Sequence, residues 1–323
     1  MMYRFCCGLL VCLITAPLVH AESDLTSHLQ QASDRFASYT LRGTLTYERF
    51  LPATSRAKEE YRIKYRFLNG SQRLTFTPTH LDTAPESVFV STKELSFQVL
   101  KHPDGLEEIR YLSPRRGAGQ KQVSNAINQT AGVLCHLAWQ FAGQTYLDLL
   151  QNNHLIWERV EGATTPDGTA EFRVTRLAPR LFSESSDNLE SLIGTLRFRT
   201  QPYWAVESID LQYRFKDREE PVPGLHGALS FTSNSEGDTV LDSVRWELLQ
   251  PEGVSTRYDL TVDDMAFGAP QPDDFTLAGC GVTTVDTAGV YSPLPLLAWY
   301  GIGVTIFCLI GLWLLKRHKR DHA

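Results

Sequence analysis

Residues 296–315, LLAWYGIGVTIFCLIGLWLL, form an uncharged run of 20 residues. In hydrocarbon every backbone N–H and C=O must be satisfied within the segment, so a run of this kind is helical. At 1.5 Å per residue it covers about 30 Å, the apolar thickness of a bilayer. Trp299 and Tyr300 lie near one edge and Trp313 near the other, where interfacial aromatics belong. Lys316-Arg317-His318-Lys319-Arg320 follows at once. The positive-inside rule keeps such a cluster cytoplasmic. The expectation is a single transmembrane helix over 296–315, a cytoplasmic basic tail over 316–323, and everything before them on the periplasmic, extracellular or lumenal side.

The other end agrees with export. Arg4 precedes a short apolar run, Phe5 to Leu18, and Val19-His20-Ala21 ends it with residues that suit cleavage. Residues 1–21 are therefore expected to be a signal peptide. Of the 31 Lys+Arg, one lies in those 21 residues and four in the last eight, while of the 37 Asp+Glu only Asp321 lies outside 22–295. The body thus carries 26 cations and 36 anions, a net of -10. An acidic body argues against nucleic acid, whose phosphates need a basic face.

Four of the six cysteines, Cys6, Cys7, Cys12 and Cys308, fall in the two hydrophobic ends. Cys135 and Cys280 remain outside, and an even pair in an oxidising compartment suggests a disulfide. The bridge would close a loop of about 145 residues, worth perhaps 2–4 kcal/mol. Two separate buried thiols are the other reading.

Between the ends the dominant pattern has period 2. A short amphipathic helix opens the body, with Leu25, Leu29, Ala32 and Phe36 at helical spacing. Alternation follows: Tyr39, Leu41, Gly43, Leu45 and Tyr47, then Tyr61, Ile63, Tyr65 and Phe67, with Asn69-Gly70 as a tight hairpin turn. From Lys121 to Asn152 the apolar spacing changes to 3–4, which reads as a helical insertion between two sets of strands. Alternation then returns from Ile156 to Val262, broken by Pro/Gly turns. About a dozen strands with one buried face predict an antiparallel sheet. The expected class is α+β: a large antiparallel sheet with an N-terminal helix and a mid-domain helical insertion. No linker interrupts 22–268, so this is one exported β-rich domain. Residues 269–295, rich in Pro, Gly, Thr and Ala, read as a stalk.

Three stretches carry a resemblance to a known superfamily. Leu29 to Tyr47 runs an opening helix into a Gly-containing strand, Tyr203 to Leu211 feeds a turn into a strand of alternating aliphatics, and Asp273-Asp274-Phe275-Thr276-Leu277 sets acids before a Phe at a closing segment. In topology the chain resembles the lipoprotein-carrier superfamily of LolA, LolB and the RseB-type sensors. The resemblance implies that the large antiparallel sheet is curved into a half-barrel, a half-open sheet whose concave apolar face is capped by helices and takes an acyl chain or a lipoprotein's lipid. Candidate lining residues are Tyr65, Phe67, Phe76, Phe89, Phe97, Trp139, Phe141, Phe198 and Phe215. For any single one of them, filling the core is the plainer reading. The membrane anchor departs from a soluble carrier and favours a tethered receptor or sensor.

No nucleophile elbow, zinc-binding helix, Cys-x-x-Cys or phosphate-binding loop occurs, and the histidines are scattered. No catalytic residue, metal site or cofactor is expected. The function expected is that of a membrane-anchored envelope protein whose exported domain binds or senses a lipidic, apolar ligand. The alternative is a non-enzymatic interaction ectodomain with a filled core.

Overall fold

Tyr39, Leu41 and Leu45 are buried while their neighbours Thr40, Arg42, Thr44 and Thr46 are not, and this alternation decides where the first strand puts its weight. The protein is described by a computed structural model, which covers residues 25–50, 56–80, 83–114, 123, 127, 131–141, 143–160, 168–178, 188–250 and 253–282. The expected signal peptide, transmembrane segment and basic tail lie outside the described residues, as does 283–295 of the expected stalk. Among the described residues no helix is long and apolar enough to cross a membrane.

The opening helix α1 covers residues 25–35 and buries Leu29 and Ala32, with Phe36 buried just beyond its end. Fifteen strands follow: β1 (Ser38–Phe50), β2 (Arg56–Leu68), β3 (Ser71–Pro78), β4 (Glu86–Ser91), β5 (Leu95–Lys101), β6 (Glu107–Pro114), β7 (Gln140–Phe141), β8 (Gln144–Thr145), β9 (Leu155–Arg159), β10 (Thr169–Leu177), β11 (Leu189–Arg199), β12 (Ala205–Phe215), β13 (Val222–Ser233), β14 (Thr239–Gln250) and β15 (Gly253–Phe267). Helices α2 (Ala131–His136) and α3 (Tyr146–Gln151) lie in the segment between β6 and β9. Thr145 caps α3 through a reciprocal box with Asp148, which satisfies two backbone donors at once.

Thirteen strands make one antiparallel sheet in the order β6-β5-β4-β3-β2-β1-β15-β14-β13-β12-β11-β10-β9, and β7 and β8 pair separately. Each strand pairs with its chain neighbour except at the centre, where β1 meets β15. Asn69 (φ 48°) and Gly70 (φ 87°) make the β2–β3 turn with positive φ at both central positions, the geometry that matches strand twist. A bulge between Arg42 and Gly43 marks the β1–β15 seam. A Cβ at Gly43 would stand 2.2 Å from the Thr261 carbonyl oxygen, so only glycine allows this approach.

The sheet is open, with β6 and β9 as its edges, and described residues between them lie against its inner face. The Tyr39 hydroxyl of β1 donates to the Cys135 carbonyl (3.3 Å). The Val206 N–H of β12 donates to the Ala138 carbonyl (2.8 Å). Strands β1 and β12 are four positions apart, about 19 Å in a flat sheet. Cys135, in α2, and Ala138, two residues past its end, reach both strands although they stand only three positions apart in the chain, so the sheet curves around the insertion. The described architecture is therefore the expected open antiparallel sheet with a few helices.

Directly opposed residues of an antiparallel pair point to the same face, which sorts the core into two parts. Tyr39, Phe67, Leu41 and Tyr65 share the inner face with Leu74 and Phe89. Val88, Val90, Phe97 and Val99 face outward and are fully buried. The segment after β15 covers that outer patch. It forms two 3-10 turns, Pro272–Phe275 and Ala278–Cys280, and buries Phe275 and Cys280. Arg66 Nη1 bonds Asp274 Oδ1 (2.5 Å), and Arg73 Nη1 donates to the carbonyls of Asp274 and Gly279 (3.0 Å each). Residues 269–280, expected to begin a stalk, thus fold against β3 as part of the domain.

This placement corrects the expected Cys135–Cys280 bridge. Both cysteines are free and buried. Cys135 sits against Tyr39 and Tyr65 on the inner face, and Cys280 beside Arg73, Lys101 and Arg66 on the outer face. The sheet stands between the two thiols, and a disulfide needs Cα atoms within about 7 Å.

Candidate functional site

Period-2 alternation sends Tyr39 of β1 and Tyr65 and Phe67 of β2 into the concave face, side by side. The last residue of α2, His136, and Trp139 in the turn after it lie on them. Phe36 stacks flat on Trp139, with centroids 3.7 Å apart and an interplanar angle of 1°. Tyr39 meets the Trp139 ring edge-on at 5.0 Å. The Tyr65 hydroxyl and His136 Nδ1 are 3.0 Å apart. All six rings are buried.

Polar groups inside this aromatic cluster feel the loss of water. Burial, then the neighbouring Tyr65, pushes the Tyr39 phenol well above its ordinary range. Burial, then Cys135, does the same to Tyr65, and burial raises the Cys135 thiol. Burial lowers His136 from 6.5 to about 3, so its imidazole is neutral and one ring nitrogen carries a proton. Nδ1 is matched by Tyr65. His136 Nε2 and the Trp139 indole Nε1 have no hydrogen-bond partner among the described residues. A buried polar group left unmatched costs about 1–3 kcal/mol. Two of them within four residues mark a place where the apolar interior is incomplete.

The sequence candidates divide over several places. Tyr65, Phe67 and Trp139 belong to this cluster. Phe141 faces Trp246 of β14 at 6.3 Å. Phe198 of β11 belongs to a second aromatic group with Tyr146, Trp157, Phe172 and Trp204, at centroid distances of 5.4–6.0 Å. Phe76 and Phe89 meet edge-on at 6.0 Å towards the β6 edge and are half-buried. Phe215 packs beside Tyr213 at 6.2 Å. Phe97 lies on the outer face and shares no surface with the others. Sequence reasoning passed over Phe36, Tyr39 and His136. The alternation that marks Tyr65 also marks Tyr39, whereas nothing local signals that His136 meets a strand residue 71 positions earlier.

A second feature lies at the rim, beyond the end of α1. An open groove of about 630 Å³ is lined by Arg35, Arg199, Gln201, Tyr203 and Asp238, among others. Tyr203 joins it to the cluster below, since its ring meets Phe36 edge-on at 5.1 Å.

Neither a protein-family model nor a curated protein matches the sequence. Solved structures do. A DUF1329 family protein from Desulfovibrio piger is 10% identical, with 81% of this chain and 98% of that chain covered and a TM-score of 0.41. A putative outer membrane lipoprotein-sorting protein domain from Vibrio parahaemolyticus is 9% identical over 78% and 97%, with a TM-score of 0.41. A LolA superfamily protein from Nitrosomonas europaea is 10% identical over 77% and 96%, with a TM-score of 0.38.

Proposed function

We propose that this chain is a membrane-anchored envelope protein whose exported domain binds or senses a lipidic ligand in the concave face of its sheet. The single observation that carries the reading is the pair of unmatched nitrogens, His136 Nε2 and Trp139 Nε1, inside the aromatic cluster. A core selected only to be filled has no use for them, because apolar residues of similar shape avoid the penalty. An amphiphile with a carbonyl or ester oxygen among its apolar carbons meets both needs, since its chain buries against the rings and its oxygen meets a nitrogen. Burial of chain carbons drives such binding at about 25 cal/mol per Å². Export and anchoring rest on residues 1–21 and 296–315, where the signal-like start and the hydrocarbon-length run stand.

The interaction-ectodomain alternative draws on the 3.7 Å contact between Phe36 and Trp139, which leaves no gap between those two rings. One measurement separates the two. Native mass spectrometry of the full chain in an uncharged maltoside detergent should show a co-purifying lipid, and delipidated protein should take up a fluorescent acyl ester. If neither occurs, the nitrogens face internal water and the filled core stands.

A further inference from the structure

The rim groove joins two basic side chains from distant parts of the chain. Arg35 comes from the last position of α1 and Arg199 from the last position of β11. Each guanidinium lies over an aromatic ring: Arg35 over Phe267 at 4.0 Å and Arg199 over Phe231 at 4.7 Å. Stacking of this kind fixes the plane of a guanidinium while leaving its edge free to donate. Arg35 is paired with Asp238. Arg199 donates from Nε to the Gln201 carbonyl (2.9 Å) and makes no ion pair among the described residues, so its terminal nitrogens keep their donors. Tyr203 stands between them. Burial first, opposed by Arg199 and Arg35, holds its phenol protonated up to about 12, and its hydroxyl donates to the Thr239 carbonyl. The three ionised lining groups sum to one positive charge, in a body whose net charge is -10.

We propose that this groove receives a phosphate oxyanion, with Arg199 as its main partner and Arg35 as the second. Two forks from separate elements suit a tetrahedral group, whose oxygens diverge, better than a planar carboxylate, which one arginine satisfies alone. The net charge of the lining matches a phosphodiester. Tyr203 then connects the headgroup to the Phe36–Trp139 stack, so a phospholipid places its charge at the rim and its chains inward. This inference deepens the lipid-binding reading and rests on it for the identity of the lipid, although a free phosphate satisfies the groove as well.

The test is calorimetry on the full chain in uncharged maltoside detergent with three probes: dihexanoyl phosphatidylglycerol, inorganic phosphate and uncharged dihexanoylglycerol. Arg199→Gln should weaken phosphatidylglycerol binding about tenfold, the scale of one lost charge-assisted bond. Asp238→Asn, which frees Arg35, should strengthen it severalfold, and neither should alter dihexanoylglycerol. Affinities that stay within twofold in both variants, with circular dichroism unchanged, overturn the groove. Competition by inorganic phosphate assigns the site to the oxyanion alone, and binding only of the lipid assigns it to a headgroup. Arg199-dependent phosphate binding without any acylglycerol binding retains the groove and removes the lipid reading.

Discussion

The two faces of the sheet bury their side chains in different ways. On the outer face, Val88, Val90, Val99 and Phe97 lie on β4 and β5, beside a C-terminal segment tied down by Asp274. The buried side chains named there are aliphatic or aromatic, apart from one thiol. On the inner face, rings from β1, β2, α1 and the helical insertion meet around a histidine, two tyrosine hydroxyls and an indole, and two nitrogens are unmatched. The outer patch acts as a staple, because it buries area and asks for nothing more. The inner cluster carries polarity that packing alone does not use. Function is therefore sought on the inner face, and stability is contributed by both.

This contrast is open to direct attack. The largest effect is expected from Trp139→Ala, which removes a stacked, buried ring and should cost about 3–5 kcal/mol in urea unfolding. Trp139→Phe should stay within about 1.5 kcal/mol of wild type, because it deletes the unmatched N–H and keeps most of the stack. If the inner face is a binding site, Trp139→Phe weakens acyl-ester uptake, whereas Phe97→Leu on the outer face lowers stability and leaves uptake unchanged. Equal loss of uptake in both would erase the distinction between the faces.

A pH dependence comes next. His136 is neutral when buried, with its pKa lowered from 6.5 to about 3, while the unfolded chain takes up a proton at its ordinary value. Below pH 6.5 the unfolded state therefore binds more protons, and folding stability falls with pH until about pH 3. Between pH 7 and 5 the loss from this one group is roughly 2 kcal/mol. Urea midpoints at the two pH values should show a drop that His136→Phe removes. A drop of the same size in that variant would assign it to other groups.

The staple gives a smaller effect. Asp274→Ala releases Arg66, while Arg73 keeps its bonds to the backbone carbonyls of residues 274 and 279; the Arg66 and Asp274 side chains are 36% and 28% exposed, so solvent screening holds the cost to about 1 kcal/mol. Hydrogen exchange should rise in 272–280 and stay constant in β1. The smallest effect concerns the thiols. Mass-labelling of Cys135 and Cys280 with iodoacetamide should be slow in the folded chain and complete in denaturant, with or without reductant. Labelling that needs reductant would restore the bridge.

The strands were readable along the chain because each carries its own signal. Alternation placed Tyr39 and Tyr65 on a buried face, Asn69-Gly70 marked the turn that ends the strand of Tyr65, and the spacing of Leu29, Ala32 and Phe36 gave one side of a helix. The open sheet followed from these local rules. Phe97 shows where they stop. Its strand alternates as the others do, but alternation states only that one face is buried and does not name the face. On β4 and β5 the outer face is also covered, by residues 272–280, which composition alone read as stalk.

The sequence by itself determined the strand-rich body, its helical insertion and the two hydrophobic ends, because periodicity and apolar length are properties of consecutive residues. Tertiary structure alone decided that β1 pairs with β15, that Cys135 and Cys280 face opposite sides of the sheet, that His136 meets Tyr65 and that Arg35 meets Asp238. The three pairings among these join residues 71 to more than 200 positions apart. They arise from how the sheet curves around the insertion, and no local pattern encodes that curvature.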